Sequence, residues 1–111
     1  RQPGDVDWHP LVCLEVKDRA SSSWPSWCRQ AVAEAPEGTV PAVVRRTRGV
    51  ADPGAWVCRV LLTEWVLVLG RTYLVGPVYD DDDRLWIVTT LAGLVSAVER
   101  HDVLDRIGGG S

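Results

Sequence analysis

Residues 11–17 read LVCLEVK, and the rest of the domain can be laid out around them. They are rich in β-favouring side chains, follow Pro10 and give way to polar residues, which bounds a strand. Side chains alternate along a strand, so Val12, Leu14 and Val16 share one face while Leu11, Cys13, Glu15 and Lys17 share the other. Apolar residues on both faces predict a strand covered on both sides, with Glu15 and Lys17 together at its C-terminal end. Upstream, Pro3-Gly4 forms a turn, and the alternation through Asp5, Val6, Asp7 and Trp8 predicts a short strand that turns at His9-Pro10.

Downstream, Ser21-Ser22-Ser23 before Trp24-Pro25 has the grammar of a helix start, with a serine as N-cap and proline in the first turn. The predicted helix runs from about Trp24 to Ala35, with Trp24, Trp27, Cys28, Ala31 and Ala35 as its buried stripe, and Pro36 and Gly38 end it. Residues 40–46, VPAVVRR, predict a strand, and a Pro53-Gly54 turn leads to another over Trp56–Leu62. Residues 63–70, TEWVLVLG, fit either a short helix capped by Thr63 and closed by Gly70 or an apolar strand, with helix preferred. Strands over 72–79 and 85–89 flank the acidic loop Asp80–Asp83, and a helix from Thr90 to about Arg106 turns Leu91, Leu94, Val95, Val98 and Val103 inward. The echo between Trp56-Val57…Thr63 and Trp86-Ile87…Thr90 is the common grammar of a strand feeding a helix, not a solenoid repeat.

With 111 residues, 46% hydrophobic and 24% charged, the chain fits one small globular domain, which argues against disorder, a collagenous repeat or a multidomain enzyme. The domain is expected over residues 1–107, with 108–111, GGGS, as a linker-like tail. The net charge of -3 denies an overall basic field, but it is unevenly spread. Residues 1–60 hold 8 Lys/Arg and 7 Asp/Glu, against 4 and 8 in residues 61–111, so an anionic ligand belongs with the first part. Cys13, Cys28 and Cys58 are expected as reduced core thiols in a cytoplasmic protein, and no C-x-x-C pair or local histidine motif suggests zinc. The apolar run Trp65–Leu69 is too short to span a bilayer, so no membrane partner is expected. A start at Arg1 and the absence of methionine lead us to expect a processed product, a fragment or a partial reading frame.

The chemistry-bearing set is Asp5, with Asp7 as its backup, followed by Glu15 and Lys17. An acidic residue on one strand beside Glu-x-Lys on the next brings two carboxylates and an ammonium together. Hard oxygen ligands of this kind suit Mg²⁺, with Mn²⁺ as a substitute, and the ammonium can steer water or neutralise a phosphate oxygen. A lone Glu-x-Lys reads most simply as a surface ion pair; Asp5, the helix and the following strand are what lift it above that. Arg45, Arg46 and Arg48, with Lys17, Arg19 and Arg29, form either a phosphate-binding patch or a solvated strand end. Asp80–Asp83 lacks the glycine and distal glutamate of a calcium loop and reads as a solvated hairpin. Five of the six tryptophans sit in apolar patterns and read as core, leaving Trp8, beside the candidate metal site, for DNA contact. His9 reads as a turn residue and His101 as a cation at a helix end.

The segment Gly4-Asp5-Val6…Leu14-Glu15-Val16-Lys17, the Ser-rich turn, the helix carrying Trp27-Cys28-Arg29-Gln30-Ala31 and Pro41-Ala42-Val43-Val44-Arg45-Arg46 together resemble the PD-(D/E)XK nuclease superfamily, and within it phage Holliday junction resolvase-like proteins. The resemblance covers residues 3–62, about half the chain, and leaves 63–107 as a C-terminal extension. It implies an α/β, restriction-endonuclease-like mixed central sheet flanked by helices, here lacking the usual first helix and its glutamate. It implies Asp5, Glu15 and the Val16 carbonyl as Mg²⁺ ligands, Lys17 at the attacking water and Gln30 facing the site. The expected function is Mg²⁺-dependent hydrolysis of branched DNA by a homodimer, with Trp65–Leu69 and the last helix as the interface. A non-catalytic DNA-binding or assembly module on the same fold is the alternative, and a small interaction protein without a nucleic-acid role is a third.

Overall fold

The computed structural model describes residues 5–18, 23–70, 74, 76–81 and 83–108, with backbone alone for 5–7 and 81. Strand β1 (Asp5–His9) turns into β2 (Val12–Lys17), and helix α1 (Trp24–Glu34) crosses over to β3 (Val40–Arg45). After a 3-10 turn at Pro53–Ala55 come β4 (Val57–Leu61), α2 (Leu62–Leu69), β5 (Val78–Asp81), β6 (Arg84–Thr90) and α3 (Leu91–Gly108). The six strands form one sheet in the order β1-β2-β3-β4-β6-β5. The pair β2–β3 is parallel and the other four are antiparallel. The chain is thus a small mixed α/β domain with helices on both faces of its sheet.

Alternation along the strands divides the apolar side chains between the two faces. One face carries Val12, Leu14, Val40, Ala42, Val44, Cys58 and Val60, buried against Trp65 and Leu69 of α2 and Leu94, Ala97 and Val98 of α3. The other carries Val43, Leu61 and Trp86, buried against Trp24, Trp27, Cys28 and Ala31 of α1. That α1 stripe follows the helical period, and each fully buried large side chain in it is worth about 2–3 kcal/mol. The N-terminus of α1 is fixed further by Arg59, whose guanidinium sits 4.6 Å from the Trp24 ring and 4.5 Å from the Tyr79 ring. Glu15, Lys17 and Arg45 project from the α1 face, because Glu15 pairs in register with Val43 and Lys17 with Arg45.

Several local expectations change. Ser23 takes the N-cap position of α1 without a side-chain hydrogen bond, and Ser21 and Ser22 lie outside the described residues. Helix α2 starts at Leu62, so Thr63 is inside its first turn, because β4 passes into the helix without a linker. Gly70 does close it, at φ 68°, with its N–H donating to the Val66 carbonyl at 3.0 Å. The strand expected over 72–79 is Val78–Asp81; residues 72, 73 and 75 lie outside the described residues. Helix α3 extends to Gly108, which places His101 in its interior rather than at its end. Val103 is 43% exposed instead of buried, because the buried residues of α3 end at Val98 and Leu104 and Ile107 beyond it are exposed as well.

Candidate active site

The centre of the site is Glu15, a carboxylate only 2% exposed at the C-terminal end of β2. Lys17, two residues on and on the same face, brings its Nζ to 2.8 Å from Glu15 Oε1. The contact is an ion pair without hydrogen-bond alignment, and Glu15 Oε1 has no hydrogen-bond partner. Lys17 Nζ also donates to Gln30 Oε1 at 3.1 Å, which ties the strand to α1. Gln30 Nε2 in turn donates to Glu34 Oε1 at 3.2 Å, one helical turn along α1. Glu34 Oε2 is buried without a hydrogen-bond partner. The structure therefore joins three of the expected site residues, Glu15, Lys17 and Gln30, and adds Glu34, whose i+4 spacing from Gln30 was the available signal.

Asp5 takes the register position directly opposite Glu15 in the β1–β2 pair. Asp7 falls in the irregular stretch between Val6 and His9, where one-to-one pairing breaks down, so Asp5 is the better-placed acid. The Val16 side chain packs toward the opposite face, against the core under α2 and α3. Among the described residues no three His, Cys, Asp or Glu side chains converge as a metal site. The donor set of Asp5 and Glu15 fits a cation that takes one or two protein carboxylates and completes its shell with waters and phosphate oxygens, as Mg²⁺ does. The buried Glu15 Oε1 lies 2.8 Å from the Lys17 ammonium, which offsets its charge.

The cationic residues divide by face. Arg45 is half-buried beside Lys17 on the α1 face, and Arg29 is exposed on α1. Arg46 and Arg48 are exposed on the loop after β3 and line a hollow of about 510 Å³ with Asp18, Val50 and Trp56. Arg19 lies outside the described residues.

Trp8 lies on the sheet face opposite Glu15. It is half-buried against the core under α2 and α3, and with His9, Pro36 and Thr39 it lines a separate hollow by the start of β2. His9 is likewise more than a turn residue. Its Nδ1 accepts from the Leu11 N–H at 3.1 Å, so the neutral ring carries its proton on Nε2 and donates to the Asp102 oxygens at 3.1 and 3.0 Å. This bond clamps the β1–β2 hairpin to α3. Of the three thiols, Cys28 and Cys58 are buried and Cys13 is half-buried. Compared with known families, curated proteins and solved structures, the chain matches none of them.

Proposed function

We propose that this chain is a Mg²⁺-dependent endodeoxyribonuclease of the PD-(D/E)XK type, acting on branched DNA. The observation that carries the reading is the juxtaposition of Asp5 opposite Glu15 in register with Lys17 Nζ 2.8 Å from Glu15 Oε1. The succession of β2, α1 and β3 supports it, since strand, helix and strand follow one another in the order that carries the resemblance. Ligands of open α/β sheets gather outside the carboxyl ends of their strands, and the ends of β2 and β3 carry Lys17, Arg45 and Arg46.

In this mechanism Asp5 and Glu15 would hold the cation. When bound, it supplies Lewis-acid charge on a phosphoryl oxygen and lowers the pKa of water. Lys17, held between Glu15 and Gln30, orients the attacking water and neutralises charge on a phosphate oxygen. The water oxygen adds in line to phosphorus and loses its proton to solvent as the opposite P–O bond breaks and the leaving oxygen takes up a proton, giving one hydroxyl and one phosphate terminus. Cutting both strands of a junction requires two sites, so a symmetric homodimer belongs to the proposal. Of its expected interface, Trp65 and Leu69 face the core, which leaves Val66 and Leu67 on α2 and Leu104 and Ile107 on α3 as exposed apolar surface.

The test is cleavage of labelled four-way junction, duplex and single-stranded DNA with Mg²⁺, comparing the parent chain with Glu15→Ala and Lys17→Ala. Junction-selective cutting that falls at least about a hundredfold in both variants is expected. Junction binding without cutting in all three proteins would replace the enzyme with a binding module.

A further inference from the structure

The hollow beyond the carboxyl ends of β2 and β3 has features that the catalytic reading does not use. Its volume of about 510 Å³ falls in the range of small-ligand pockets and is too small for a folded element of a partner. One wall is Trp56, half-buried, whose Nε1 donates to the Val50 carbonyl at 3.4 Å. The Trp56 backbone is pinned on both sides: its N–H donates to the Pro53 carbonyl at 3.1 Å, and its carbonyl accepts from the Leu91 N–H at 2.9 Å. The indole is therefore held in place before any ligand arrives. Above it lies the Arg46 guanidinium, 5.9 Å from the ring centroid. The Arg46 side chain is 59% exposed and pairs only loosely with Asp18, 51% exposed, at 3.6 Å, a solvent-screened contact that yields at little cost. Arg48 lines the same hollow and is exposed.

An immobile aromatic plane with a guanidinium over it and a second arginine beside it is the chemistry that grips a base and its phosphate. Arg46 continues the face of Val44, whereas Lys17 and Arg45 occupy the α1 face, so the hollow and the carboxylates lie on opposite sides of one sheet rim. That rim is tight: the Arg46 N–H donates to the Lys17 carbonyl at 2.8 Å. A strand crossing it passes both.

We propose that this hollow holds one unpaired nucleotide of a DNA strand, its base stacked on Trp56 and its phosphate on Arg46 and Arg48. The choice of DNA as the polymer rests on the function proposed above. A base inside a continuous duplex cannot enter, so the hollow selects for branch points and single-stranded segments flanking the cut.

The test measures binding of labelled single-stranded DNA and blunt duplex to the full chain without divalent cations, by fluorescence anisotropy at several salt concentrations. Tighter binding of the single strand is expected, weakened about tenfold in Trp56→Leu and in Arg46→Glu. In Arg48→Glu the salt dependence should fall by about one phosphate contact. Arg46→Glu changes an exposed side chain and leaves the core alone, so it keeps the test valid if Trp56→Leu fails to fold. Absence of single-strand binding by the parent, or affinities within twofold of the parent in both Trp56→Leu and Arg46→Glu, would overturn the proposal. If those two variants bind normally while Glu15-dependent cutting persists, the hollow fails and the nuclease reading stands. If they lose single-strand binding in a protein that cuts no DNA, the hollow stands and the nuclease reading fails.

Discussion

Glu15 is 2% exposed and Lys17 17%, so their pair sits where removing one partner leaves the other stranded. Lys17→Met should destabilise the fold by about 2 kcal/mol, less than the roughly 3–5 kcal/mol of a fully buried pair because Lys17 keeps some contact with water. Adding Glu15→Gln should recover much of that loss, and urea denaturation of the four proteins of the cycle measures the coupling. A second residue-scale prediction concerns Asp102. Burial works to raise its carboxyl pKa, but hydrogen bonds from His9 and His101 outweigh that and hold it below the ordinary 3.8. A carboxyl depressed by folding contributes stability that is fully present above its unfolded value and is lost as pH falls through the folded one. Asp102→Asn should therefore flatten the fall in stability below about pH 4, read from urea midpoints across the acid range. An acid limb identical to the parent's would contradict the clamp.

At the scale of elements, the end of α2 depends on one glycine. Gly70 has φ 68° and ψ -124°, and a Cβ placed there would meet nothing within 4 Å. The penalty of Gly70→Ala is thus backbone strain without a clash, about 1–3 kcal/mol, and should appear as a lower melting temperature with unchanged near-ultraviolet circular dichroism. Elements with two-sided or one-sided patterning were legible in the sequence. The alternation over LVCLEVK marked β2, and Trp24, Trp27, Cys28 and Ala31 marked α1, because burial there follows the period of the backbone. Helix α2 was ambiguous because its outward residues, Val66 at 54% exposed and Leu67 at 77%, are as apolar as its buried Trp65 and Leu69. Strand β5 was blurred for the related reason that it is an edge strand with Val78 and Tyr79 exposed. In the site, Glu15 and Lys17 could be read from strand alternation and Gln30 from the family resemblance, whereas His9 and Asp102 are 93 residues apart and no periodicity links them. The Trp56–Arg46 hollow escaped for a similar reason: Trp56 resembles a core residue until its neighbours across the rim are known.

For the whole molecule, the sheet between two helical layers controls access to the thiols. Cys58 is 0% exposed, and burial, with a smaller contribution from nearby Cys28, pushes its thiol up to about 12. The native protein should accept iodoacetamide at half-buried Cys13 first, with Cys28 and Cys58 modified only on unfolding; mass spectrometry with and without denaturant checks the order. The strand order β1-β2-β3-β4-β6-β5 has a consequence in time as well as in space. It follows the chain except for the exchange of the last two strands, and only β1–β2 and β5–β6 close tight hairpins, while the parallel β2–β3 pair waits for α1 to cross over. On a ribosome, β1 to β4 can pair while β6 is still unsynthesised, which leaves the outer edge of β4 unpaired until the final hairpin arrives. An open edge is a template for pairing with another chain. The pace of translation between Leu61 and Arg84 therefore sets how long each nascent molecule is exposed to its neighbours.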